Sequence, residues 1–206
     1  MKIGTKSVLF GAHQFLLHPL FVAWAWWRLF GFPWDPRLWV AFCVHDFGYV
    51  GLGDMDGAEG EEHAWLGARL MHWLFDRPRF VLRDGAWIEN TRWRDFTLYH
   101  SRFYAKRHGR PVSPLCMADK LAFVLTPRWL YLPMVRATGE LAEYMQRQRE
   151  REAAGERQFT RTEIADAEKR WHAEVCEFIE RWVAEHKDGR EDTWTPKIQH
   201  ADGRAA

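Results

Sequence analysis

The chain has 206 residues and a formal net charge of +1, with 47% hydrophobic and 28% charged side chains. That length suits one domain with a sizeable core, and the near-neutral charge excludes a global basic field for nucleic acid or anionic membrane. The 13 tryptophans imply a core or cleft of large rigid side chains rather than a particular chemistry.

From the N-terminus, the apolar stretch after Lys6 is interrupted by His13, Gln14 and His18 and reads as no signal peptide. His18-Pro19 starts a helix over Leu20–Leu29 that ends near Gly31 and Pro33. Leu20 to Trp27 is far shorter than the ~20 residues a spanning helix needs, so it reads as a buried helix, with membrane-surface contact through the Trp-rich segment as the alternative. Asp35 as N-cap and Pro36 at the first position predict a second helix over Arg37–Asp46, apolar nearly all round and therefore central. A glycine- and acid-rich loop follows from Gly48 to Gly60, where functional loops tend to lie.

A helix over Glu61–Phe75 carries His63, with Trp65, Leu66, Leu70 and Leu74 as its apolar contacts. Asp84-Gly85 predicts a hairpin turn within a small β insertion over 80–88. One helix over Thr91–Arg107 carries His100, Arg102 and Lys106, and Gly109 stops it. Ser113-Pro114 starts a helix over Leu115–Leu125 that contains Asp119. The stretch from Pro127 to Arg151 is helical with a kink or break at Pro133. A capping box at Thr160–Glu163 opens a last helix to His186, with Ile164, Trp171, Val175, Phe178, Ile179 and Trp182 on its apolar face. Residues 187–206 read as a disordered tail.

Cys43, Cys116 and Cys176 are odd in number and widely spaced, which argues against a disulfide framework and for a reducing, cytoplasmic setting. Cys43 and Cys116 read as small core residues. A homo-oligomer through the Trp-rich or C-terminal helices is compatible with this composition.

Against this helical background, His45 and Asp46 stand side by side at the end of an apolar run. A buried carboxylate must be paired or metal-bound, and imidazole with carboxylate suits a divalent metal such as Mn, Fe, Co, Ni, Mg or Zn. In order along the chain, the candidates are His18, His45-Asp46, His63, His100 and Asp119, each in or at the end of a predicted helix. His13 has a weaker claim, and His72, His108, His172, His186 and His200 read as surface residues.

The segments His18-Pro-Leu-Phe-Val-Ala, Val44-His45-Asp46-Phe-Gly, Glu62-His63-Ala-Trp-Leu-Gly-Ala and Ala118-Asp119-Lys120-Leu-Ala, together with His100, form an ordered H…HD…H…H…D pattern. This resembles the HD-domain metal-dependent phosphohydrolase superfamily over about residues 10–126. The resemblance implies an all-α, HD-domain-like bundle over residues 1–186, with the C-terminal helices over 127–186. It implies that His18, His45, Asp46 and Asp119 hold one ion, with His63 and His100 adding a second across Asp46, or binding substrate phosphate instead.

The implied reaction is hydrolysis of a nucleotide or other small phosphate ester or anhydride by metal-activated water. Arg102, with Lys106 one helical turn further on, suits phosphate binding. Lys120 follows Asp119 and is either a substrate contact or a solvated lysine. Asp56 and Glu59, on the loop into His63, are the preferred acid or base residues, and Tyr49 is placed to close over the pocket. The central motif lacks the Gly-Lys continuation of cyclic-dinucleotide phosphodiesterases and the Glu-Asp signature of alarmone hydrolases. His100 is followed by Ser101 rather than a second histidine. Diiron oxygenases of the superfamily have a similar ligand set and are one rival; a non-catalytic nucleotide-binding module is another.

Overall fold

The computed structural model describes residues 1–53, 55, 58–152 and 161–189. Thr160 and the tail from residue 190 onward lie outside the described residues, as does Asp56. The fold is all-α with one two-stranded hairpin, and among the described residues no helix is long and apolar enough to cross a membrane.

Helix α1 (Ile3–Phe10), which the sequence pattern does not announce, precedes α2 (Leu17–Phe30). Helix α3 (Pro36–Val44) begins as expected: the Asp35 carboxylate accepts from the Arg37 amide, and Pro36 occupies the first turn. A short 3-10 turn, Phe47–Tyr49, follows His45 and Asp46. The helix expected over Glu61–Phe75 is instead a single turn, α4 (Ala58–Glu61), and then α5 (Ala64–Phe75), with the break at His63. Strands β1 (Phe80–Arg83) and β2 (Ala86–Glu89) pair antiparallel, and the positive φ angles of Asp84 and Gly85 make the tight turn the Asp-Gly pair predicts.

The single helix expected over Thr91–Arg107 is also two: α6 (Arg92–Leu98) and α7 (Arg102–Arg107), with His100 in the gap. Helix α8 (Pro114–Leu125) follows, then α9 (Arg128–Thr138) and α10 (Glu140–Glu152). Pro133 stays inside α9, and the break falls at Gly139, whose φ of 92° only glycine adopts without strain. Helix α11 (Arg161–His186) ends where the pattern predicts.

The main core joins Val22 and Ala25 of α2, Ala41 and Phe42 of α3, Met71 of α5, Trp93 of α6, and Leu115, Ala118 and Ala122 of α8. Alanines on the facing sides of α2 and α8 let these helices approach closely, which brings the metal-ligand candidates of each together. On α5, the buried residues are Ala64, Gly67, Ala68 and Met71, while Trp65, Leu66 and Leu74 face solvent, contrary to expectation. Small residues win the inner face because α5 packs tightly on the His45 segment: a Cβ on Gly67 would lie 2.4 Å from the Val44 carbonyl oxygen.

Other expectations also give way. Helix α2 is a buried helix on one side only: Val22, Ala23 and Ala25 lie in the core with Phe21 and Trp26 partly packed on it, while Leu20, Trp24 and Trp27 are exposed. Cys43 is exposed, whereas His172 and His186, both on α11, are buried.

Candidate metal centre

Three of the ligand candidates sit where a helix stops. His45 ends α3, His63 separates α4 from α5, and His100 separates α6 from α7. Each uses Nδ1 on the carbonyl three residues back: His45 on Phe42 (3.0 Å), His63 on Gly60 (2.6 Å) and His100 on Thr97 (2.5 Å). A carbonyl only accepts, so Nδ1 carries the proton in each bond, and each Nε2 lone pair is turned inward. The broken helices therefore orient the ligands, which a continuous helical pattern hides.

The Nε2 atoms converge with two carboxylates into two groups that share Asp46. In the first, His18 Nε2 lies 3.3 Å from Asp46 Oδ2 and 3.2 Å from Asp119 Oδ1. His45 Nε2 lies 3.1 Å from Asp46 Oδ2 and 3.5 Å from Asp119 Oδ1, and the two imidazole nitrogens are 3.3 Å apart. In the second, His63 and His100 Nε2 lie 3.7 and 3.5 Å from the other Asp46 oxygen, Oδ1, and 3.1 Å from each other. Ligands about 2.0–2.2 Å from a shared ion lie about 3.0–3.5 Å apart across the edges of an octahedron or tetrahedron. The separations fit that polyhedron closely in the first group and slightly loosely in the second.

Two further observations favour a cation. Asp46 Oδ2 is buried and, close as the His45 and His18 nitrogens stand, accepts no well-aligned hydrogen bond among the described residues, a costly state for a carboxylate oxygen unless a positive charge satisfies it. Inward Nε2 lone pairs of neighbouring histidines otherwise face one another. The donor set, nitrogen and carboxylate oxygen without thiolate, suits first-row divalent metals.

The electrostatics divide the centre. Burial is the largest effect on His45 and lowers its pKa, but Asp46 and Asp119 outweigh it and raise the imidazole to about 10. His18 shifts upward from the same balance. Burial and then the neighbouring His100 push His63 down to about 3. Both carboxylates stay well below their usual range despite desolvation: Asp46 is held there chiefly by His45, and Asp119 by Lys120 and His18. Without metal, the first group thus holds protons where the ion would sit, while His63 is a neutral donor.

A pocket of about 220 Å³ opens beside the first group, with His18, Asp119 and Lys120 at one end and Phe123, Tyr131, Tyr144 and Trp171 along its walls. Lys120 Nζ stands 2.9 Å from Asp119 Oδ2 and is partly open to the pocket, so it is not merely a solvated lysine. Tyr49 stacks on His63 with ring centroids 4.2 Å apart and lies 4.6 Å from His13, which covers the second group. Arg102 lies over the Trp182 ring at 5.3 Å, and neither it nor Lys106 lines this pocket. Glu59 is exposed on α4.

His13, given a weaker claim by the sequence, lines the pocket. Its Nδ1 meets Ser7 Oγ at 2.8 Å, and Ser7 donates to Glu140 Oε2 at 2.8 Å. Glu140 is fully buried and also accepts from Thr138 Oγ1, the Ala12 amide and the Tyr144 hydroxyl. No local pattern marks this carboxylate, because it opens a strongly polar helix; the only hint of His13 was its closeness in sequence to His18.

The helical fold and this His/Asp cluster are compatible with an HD-type metal site. No family model, curated protein or solved structure matches the chain.

Proposed function

We propose that this chain is an HD-type, metal-dependent hydrolase of small organic phosphates, phosphate esters or anhydrides such as nucleotides. The observation that carries this reading is the division of Asp46, with Oδ2 among His18, His45 and Asp119 and Oδ1 among His63 and His100. A carboxylate shared in this way is suited to a pair of ions. When bound, such ions polarise a phosphoryl oxygen and lower the pKa of water.

The protein's own groups supply the rest. Lys120, positive and beside Asp119, binds a phosphoryl oxygen at the pocket end. The aromatic walls take a flat or apolar substrate body and exclude water from it. His13, tethered through Ser7 to the buried Glu140, is the group best held to give a proton to a leaving oxygen.

The reading is tested by loading metal-free protein with Mn, Co, Fe or Zn and screening phosphate release across nucleotides and simpler esters. Turnover abolished by Asp46→Asn and strongly reduced by His13→Ala supports it. Oxygen consumption by iron-loaded protein without phosphate release would overturn it in favour of an oxygenase.

A further inference from the structure

We infer that the N-terminal aromatic face of this protein docks on the surface of an anionic lipid bilayer. Half of the large hydrophobic side chains exposed among the described residues come from residues 1–34, a sixth of the chain. On α2, Leu17, Leu20, Trp24 and Trp27 fall at helical spacing along one stripe about 15 Å long, and this stripe faces outward. The opposite stripe, Pro19, Val22, Ala23 and Ala25, is the buried one. The helix is thus apolar on both sides, with Phe21 and Trp26 partly packed on the core and Leu17, Leu20, Trp24 and Trp27 outside. Phe10, Phe15 and Leu16 in and before the α1–α2 connection extend the exposed surface, as do Phe32 and Trp34 after α2, with Trp34 84% exposed.

Charge selects the occupant. No aspartate or glutamate precedes Asp35, while Lys2, Lys6 and Arg28 lie in the same stretch, so this face is locally cationic on a nearly neutral chain. The indole N–H groups of Trp24, Trp27 and Trp34 donate to no acceptor among the described residues; the only indole bond nearby is Trp39 to the Pro33 carbonyl. Indoles with an apolar body and a free N–H partition to the lipid–water boundary, where headgroups accept that bond, and basic residues add attraction to anionic lipid. The same connection supplies Ala12 and His13 to the pocket, and α2 supplies His18, so docking would bring the candidate metal centre to the lipid surface.

Flotation of the full chain with vesicles tests this, independently of any hydrolytic activity. The protein is expected to float with vesicles of equal parts phosphatidylcholine and phosphatidylglycerol, and less with phosphatidylcholine alone. Trp24→Gln with Trp27→Gln should weaken partitioning about tenfold per indole. Both positions are exposed, so the melting temperature serves as the control for folding and should stay unchanged. Wild-type protein that remains with the soluble fraction, or floats no better than the double variant, overturns the proposal. So does a lipid-free dimer, seen by sedimentation velocity, that the same substitutions convert to monomers.

Discussion

Glu140 offers the sharpest test of how the pocket is built. Its carboxylate has no exposed surface and receives Ser7 Oγ at 2.8 Å, Thr138 Oγ1 at 2.5 Å, and the Ala12 amide and Tyr144 hydroxyl at 3.3 Å each. It ties α1 and the α1–α2 connection to the start of α10. Gly11 accommodates it: a Cβ there would lie 1.8 Å from Glu140 Oε1. Glu140→Ala leaves buried donors without an acceptor, at about 1–3 kcal/mol each, and opens a cavity. Allowing for relaxation, the loss should be about 4 kcal/mol, near the usual cost of breaking a buried charged network. For a chain of this size that lowers the melting temperature by roughly 8–16 °C.

Glu140→Gln keeps the volume but offers an NH2 group to donors, and should lose about half as much. Burial alone would raise the Glu140 pKa, yet the nearby His13 ring, 3.8 Å away, and hydrogen bonds from Thr138 and Ser7 bring it below the ordinary value. A depressed carboxylate stabilises the fold above its unfolded pKa and loses that contribution as pH falls through the folded value. The gap between wild type and Glu140→Gln should therefore be full at neutral pH and narrow below about pH 4. Thermal unfolding followed by circular dichroism reads both. Melting of Glu140→Ala within about 2 °C of the parent would refute the account, because it would mean the donors find other partners at little cost.

Three further outcomes follow from the proposed two-ion reading of the candidate metal centre. Asp46→Asn should purify with less than one ion per chain by elemental analysis, whereas His63→Ala should keep one; two ions retained by Asp46→Asn would contradict a shared carboxylate. Gly48→Ala would drive a Cβ to 1.9 Å from the His63 carbonyl oxygen, so it should displace His63 and selectively weaken the second ion, read as a fall from two ions toward one. Metal binding should release protons at pH 7, because His45 holds one up to about pH 10 when no ion is present. Calorimetry in buffers of different ionisation enthalpy measures that release, and affinity should fall as pH drops.

The candidate ligands could be read from the sequence because chemistry and burial conflict at His45 and Asp46, and because the ordered H…HD…H…H…D pattern resembles the HD-domain superfamily. Their setting could not. The apolar pattern runs through His63 and His100 as if the helices were unbroken, since periodicity does not register a side chain capturing its own helix's carbonyl. The inward glycine of α5 and the outward tryptophans of α2 reverse the usual rule that large apolar residues face inward. In both places backbone proximity, at Val44 for α5 and at α8 for α2, decides which residues fit. Glu140 escaped notice because its donors come from residues more than a hundred positions away as well as from its own turn. Arg102 was expected at a phosphate; its guanidinium lies over Trp182, and Lys120 is the one lysine or arginine among the described residues that lines the pocket.

If the centre holds an ion, the carbonyl tethers on His45, His63 and His100 would also act as a size filter. A ring fastened at one nitrogen cannot withdraw its other nitrogen without tearing its own helix end, so the opening between donors is set by main chain rather than by the ion. Calcium, which takes six to eight oxygens at about 2.3–2.6 Å, would need donors that spread and multiply. Small borderline ions ask for neither. Calcium, even when abundant, should therefore be turned away by the stiffness of three helix ends before any difference in bond strength is felt.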